Sequence, residues 1–272
     1  MSRVRDFFVI LVVLLIIISG ESRKESRDES KHLKQISDSS WQELDGQDLS
    51  LKVPDYQLHI LPINFYRSRK DVEAMLRSTG DTSNNYLYRH DSIGTYTMSA
   101  QGLDKRQHLV NSYLEGFAPF PVENVTTPLY ILAQRKRYLL DDKQYAGRSD
   151  VWQSSRQAYY YSRGDCEDHA LALADWLIAM GEDARVAVGD VDGNGHAWVV
   201  LFRDNREFLL EATQKRGINS VYPLASLHQN YHPQYMFNRE YFWENTGSKF
   251  TTRYSGTHWK KQSHYQVIDK KT

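Results

Sequence analysis

Only one cysteine occurs in this chain of 272 residues, Cys166, and it lies within SRGDCEDHALALADW, Ser162 to Trp176. Arg163-Gly164 interrupts the preceding pattern. Asp165 then stands where a helix N-cap belongs, with Asp168 three residues on as a capping-box-like partner. The apolar residues from Ala170 to Ile178 predict a buried helix from Cys166 to about Met180, closed by Gly181. A thiol in the first turn of a helix meets unpaired N–H groups and the positive end of the helix dipole. Such a position favours the nucleophilic thiolate, and the same N–H groups can hold an oxyanion. Asp165 and Glu167 act against the thiolate, so this chemistry needs a histidine beside the sulfur.

Of the ten histidines, His196 is the best placed. It opens the apolar run HAWVVLF directly after the glycine turn DGNG, Asp192 to Gly195. His169, one turn along the helix from Cys166, is the alternative. A two-residue turn at Asp204-Asn205 would pair HAWVVLF with EFLLEA, setting Phe202 opposite Glu207, Val200 opposite Leu209, Trp198 opposite Glu211 and His196 opposite Thr213. Residues two apart share a face, so His196 and Glu211 become diagonal neighbours about 7–8 Å apart. Glu211 could then fix the tautomer of the His196 ring. A three-residue loop would break this register.

The surrounding elements follow from periodicity. LKVPDYQLHILPINFY (Leu51 to Tyr66) and NNYLYRHDSIGTYTMS read as strand or extended chain, and DVEAMLRSTG, Asp71 to Gly80, as a short helix. A helix is expected from Pro128, another over Ser149 to Tyr161 with a Ser or Asp cap, and strands over ARVAVGD, HAWVVLF and EFLLEA. Helices followed by strands read as an α+β fold. The aromatic tail from Tyr222 reads more as core packing than as a ligand platform.

At the N-terminus, Arg3 and Arg5 precede the unbroken apolar run Phe7 to Ser19. Those 13 residues are short for a membrane span, which needs roughly 20, and suit a secretory signal. Residues 1–20 are thus expected to be a signal peptide or an N-terminal membrane anchor, and the polar residues 21–50 a flexible linker. An exported protein with an unpaired cysteine points to a reactive thiol or an intermolecular bridge. The 34 basic residues balance the 34 acidic ones, which gives no electrostatic footprint for nucleic acid. DVDGNG lacks the twelfth-position glutamate of an EF-hand, and His228 and His232 lack a third ligand for zinc.

The motifs GDCEDHALAL, GHAWVVL and FLLEAT together resemble the transglutaminase-like branch of the papain-like fold, over roughly Val125 to Thr213. The resemblance implies a central helix carrying the cysteine, packed on an antiparallel β-sheet. It implies one transglutaminase-like domain over 51–272, with a core of about 121–223 between N-terminal and aromatic C-terminal extensions. Cys166, His196 and Glu211 fall on the family's catalytic positions, although its acid is usually Asp. The DCED tetrad with Trp152 upstream is most similar to bacterial transglutaminase-like cysteine peptidases, including periplasmic proteases that cleave surface adhesins. In those relatives the acids flanking the cysteine bind calcium, and the matching positions are Asp165 and Glu167; no other cofactor is implied. Gln153 or Trp152 is the candidate side-chain donor to the oxyanion. The implied partner is a protein or peptide substrate in the cell envelope, with the membrane touched only through the N-terminal segment. Three outcomes stay open: hydrolysis by water, cross-linking by an amine, and a binding module that keeps the fold without turnover.

Overall fold

The computed structural model describes residues 48–80, 82–214 and 222–268. The expectations for 1–20 and 21–50 therefore lie outside the described residues, apart from 48–50. No helix among the described residues is long and apolar enough to cross a membrane.

In chain order the elements are β1 (Tyr56–Ile60), β2 (Phe65–Ser68), α1 (Arg69–Arg77), β3 (Tyr86–His90), β4 (Gly94–Gln101), β5 (Gln107–Leu109) and α2 (Thr127–Arg135). There follow β6 (Arg137–Tyr138), α3 (Asp141–Gln144), α4 (Ser155–Tyr160), β7 (Arg163–Gly164) and α5 (Cys166–Ala179). The C-terminal half is strand: β8 (Asp183–Val191), β9 (Asn194–Arg203), β10 (Arg206–Leu210), β11 (Tyr231–Phe237), β12 (Tyr241–Asn245) and β13 (Trp259–Val267). Eight strands form one antiparallel sheet in the order β10-β9-β8-β11-β12-β13-β1-β2. A smaller sheet, β3-β4-β5, and the parallel pair β6-β7 complete the α+β architecture.

Helix α5 packs against β8 and β9. It is buried on nearly every side, with Leu171, Leu173, Trp176 and Leu177 essentially inaccessible. Gly181 ends it in the left-handed region at φ +88°, which a glycine adopts without steric cost. Asp175 is fully buried on this helix, and Arg239 and the Phe117 N–H both donate to its carboxylate. The Arg239 bond fastens the helix to the turn between β11 and β12, and the Phe117 bond fastens it to the chain ahead of α2. The aromatic tail is core: Met236, Trp243, Tyr254 and Trp259 join Trp198, Val200 and Leu209 in one cluster. Its strand β11 lies between β8 and β12, inside the sheet that carries the hairpin.

The β9–β10 register is the one expected, with Phe202 opposite Glu207 and Val200 opposite Leu209. Asp204 and Asn205 both take positive φ, 51° and 56°, which makes the two-residue turn. Three local expectations need correction. The helix expected from Ser149 begins only at Ser155, because three preceding N–H groups are claimed elsewhere: that of Val151 by Asp141, that of Trp152 by Gln101 O, and that of Gln153 by Asp168. Its cap is Ser154, which forms a capping box with Gln157. The Asp165/Asp168 capping box does not form, since Asp168 has turned to the Gln153 N–H at 2.7 Å. Finally, β10 stops at Leu210, one residue before Glu211.

Candidate active site

Cys166 is the first residue of α5, a free and partly exposed thiol at the end of an otherwise buried helix. His196, near the start of β9, is opposed across the sheet by Gly189 of β8. Its Nε2 lies 2.8 Å from Glu211 Oε2, and both side chains are about four-fifths covered. That contact leaves Nδ1 as the second ring nitrogen, and the Cys166 side chain lies close enough to raise the pKa of the ring. The structure thus brings Cys166, His196 and Glu211 into one group. The alternative, His169, is fully buried and its Nδ1 contacts the Asp165 carbonyl at 2.6 Å.

Glu211 is held from several sides. Its Oε1 accepts the Thr213 N–H at 3.0 Å and the Thr213 hydroxyl at 2.6 Å, while Oε2 also accepts the Tyr231 hydroxyl at 2.8 Å. Burial works against the carboxylate charge, yet these bonds, led by His196, pull its pKa down to about 2. Burial likewise disfavours the charged His196 ring, but Cys166 and Glu211 outweigh it and push its pKa up to about 10.

These shifts fix a pH dependence. The raised His196 pKa gives a stabilisation complete below its ordinary 6.5 and lost as pH rises through about 10. The lowered Glu211 pKa gives one present above its ordinary 4.5 and lost as pH falls through about 2. In an NMR titration the His196 ring should keep imidazolium shifts through about pH 8 and move only towards pH 10. A midpoint near 6.5 would remove the pair from this account.

The two oxyanion candidates point elsewhere. Trp152 is buried and gives its ring N–H to Asp150 at 2.7 Å. Gln153 Nε2 donates to the Tyr145 hydroxyl at 2.8 Å and to the Arg163 carbonyl at 2.9 Å, which spends both amide hydrogens. The expectation that either side chain serves the sulfur is therefore corrected: internal bonds have already taken their donors. The Cys166 backbone N–H, in the first turn of α5, has no acceptor within the helix.

Asp165 and Glu167 lie in a larger cage. Together with Asp141 and Asp168, each offers a carboxylate oxygen, all within 4.8 Å of one another, and all four residues are buried. Asp141 Oδ1, Asp165 Oδ1, Glu167 Oε1 and Asp168 Oδ2 have no hydrogen-bond partner. The second oxygens of three are occupied: Asp141 by the Val151 N–H, Asp168 by the Gln153 N–H, and Glu167 by the Cys166 thiol at 3.3 Å. Burial pushes the carboxyls of Glu167 and Asp168 well up and that of Asp141 to about 8, and neighbouring negative charge adds to each. Buried, converging and unpaired oxygens form a hard donor set of the kind a calcium ion takes. Sequence reading found Asp165 and Glu167 but took Asp168 for a cap, and nothing in the sequence singles out Asp141. Tyr231 was also missed; the only trace of it is its place in the aromatic tail.

Residues 150–266 match the family model of the CEP76 peptidase-like domain. Comparison with curated protein sequences gives no match. Among solved structures, the chain is similar to LapG of Legionella pneumophila at 20% identity, covering 50% of this chain and 74% of LapG with a TM-score of 0.38. The calcium-bound form of LapG matches at 21% identity, over 54% of this chain and 81% of that one, with a TM-score of 0.38. The EGTA-treated form matches at 21% identity over 48% and 72%, with a TM-score of 0.37. The family match spans the cysteine, HAW and FLLEAT motifs.

Proposed function

We propose that this protein is an exported cysteine peptidase that hydrolyses peptide or isopeptide bonds by acyl transfer, with Cys166 as nucleophile, His196 as base and acid, and Glu211 orienting the ring. The observation that carries this reading is the His196 ring bonded to Glu211 Oε2 at 2.8 Å and close enough to Cys166 for the sulfur to favour its charged form. Below about pH 10 the His196 ring already holds the thiol proton, so Cys166 bonds as the thiolate to the carbonyl carbon. The carbonyl π pair moves to oxygen, where the Cys166 N–H donates to it. His196 then gives the proton to the amide nitrogen, the C–N bond breaks and the amine leaves. Water, deprotonated by His196, attacks the thioester; the C–S bond breaks and the thiolate is restored, with the proton kept on His196.

The cage supports calcium as a structural partner, held by Asp141, Asp165, Glu167 and Asp168. A bound divalent cation would neutralise the acids beside the nucleophile and fix the first turn of α5. Export is supported by Arg3, Arg5 and the apolar run Phe7 to Ser19. The proposed substrate is accordingly a protein or peptide of the cell envelope. The balanced net charge supports a role without nucleic acid.

The test is the reaction with p-nitrophenyl acetate. A burst of one p-nitrophenolate per chain, with an acetyl group found on Cys166 by mass spectrometry, is the expected result. A wild-type protein with no burst, alkylated by iodoacetamide at the rate of a free thiol, would sink the peptidase reading.

A further inference from the structure

The mechanism above has one oxyanion donor, the Cys166 backbone N–H, and the two side chains expected to supply a second have spent their hydrogens. The other wall of the site holds a group with an unspent one. Tyr138 ends β6, and its backbone pairs with Gly164, two residues before the nucleophile. The bonds from Arg137 N to Ser162 O (2.8 Å) and from Leu139 N to Gly164 O (3.0 Å) fix that position on both sides. The Tyr138 ring stacks on His169 with centroids 6.2 Å apart and planes inclined by 28°. Cys166 and His169 are i and i+3 on α5 and therefore neighbours on the helix surface. A ring laid over His169 therefore lies at the end of the helix that carries the sulfur, within the electrostatic reach of Cys166. Tyr138 remains 48% exposed, so this side chain can be reached from solvent. Its hydroxyl has no hydrogen-bond partner among the described residues.

We propose that Tyr138 is a further catalytic residue, whose hydroxyl donates the second hydrogen bond to the oxyanion formed when Cys166 attacks a carbonyl. This rests on the peptidase reading. Burial, together with the charges of Cys166, Asp165, Glu167 and Glu211, pushes the phenol pKa up, so the group stays protonated and able to donate. The influence of both Cys166 and Glu211 agrees with a hydroxyl that faces the reacting centre. In the step itself the C–S bond forms and the carbonyl π pair moves to oxygen. The Tyr138 O–H shortens its contact to that oxygen without transferring the proton, and the bond relaxes when the C–N bond breaks.

Tyr138→Phe keeps the stacked ring and removes only the hydroxyl. Two reactions of Cys166 separate the possible roles. Acylation by p-nitrophenyl acetate passes through a tetrahedral oxyanion, whereas alkylation by iodoacetamide forms none. The expected result is a burst rate about 100-fold lower with alkylation unchanged within about twofold, since one oxyanion donor typically contributes on the order of 10²–10³ in rate. An equal fall in both reactions would make Tyr138 a packing residue, and an unchanged burst would leave it no role; either overturns the inference. If the peptidase reading itself fails, the wild type shows no burst, and this inference falls with it.

Discussion

His196→Ala lowers the rate of Cys166 acylation by roughly 10⁴-fold or more, on the scale seen when a triad base is removed. In the proposed mechanism the ring has three tasks, and alanine removes them together. It keeps the proton of the thiol so that the sulfur is a thiolate, gives a proton to the leaving group, and couples the sulfur to the Glu211 carboxylate. Glu211→Gln is expected to cost less. An amide with its oxygen in the Oε1 place can still accept from Thr213, but its NH2 then faces Tyr231 and His196, and it loses the charge that favours the imidazolium. Steady-state and burst rates for both variants, with melting curves as controls, give the comparison. A His196→Ala protein acylated within tenfold of wild type would show that the sulfur works without the ring.

Calcium at millimolar concentration raises the melting temperature on the order of 10 °C, and EGTA reverses the change. The size follows from the cage. Four buried acids converge with one orphaned oxygen each, and Lys136, buried nearby, lowers only the Asp168 pKa among the three with a shift. An ion held at about 1,000 times its Kd adds about 4 kcal/mol to folding. In a unit of this size each kcal/mol shifts the midpoint by about 2–4 °C. Asp168→Asn gives an opposed pair of signs: it removes one like charge, so the chelated protein melts higher, and one anionic ligand, so the calcium response shrinks. Identical melting in calcium and in EGTA would show that the cage binds no ion.

The hairpin could be read from sequence because its determinants are local. Asp and Asn tolerate the left-handed backbone a two-residue turn requires, and a period of two then carries the register back to His196 and Glu211. Cys166 at a helix start was legible for the same reason, from a glycine break and a run of apolar residues. What was lost depends on competition between distant groups. Asp168 has the spacing of a cap, but the Gln153 N–H, 15 residues earlier, captures it. Asp141 reaches the cage through a bond to Val151 that no periodic pattern announces. Trp152 and Gln153 lie close by in sequence with suitable donors, and Asp150, Tyr145 and Arg163 take those donors first.

The place of β11 has a consequence for when the protein becomes competent. Cys166, His196 and Glu211 leave the ribosome within a short span, and β8, β9 and β10 can pair as soon as they exist. Tyr231, which donates to the same Glu211 oxygen as His196, arrives with β11, and β11 settles only between β8 and a still later strand. Such long-range pairing is slow compared with hairpin closure. A nascent chain therefore carries its nucleophile well before the carboxylate clamp is complete. For the proposed peptidase, that sheet order would act as a timer, holding back hydrolysis until the last strands have docked.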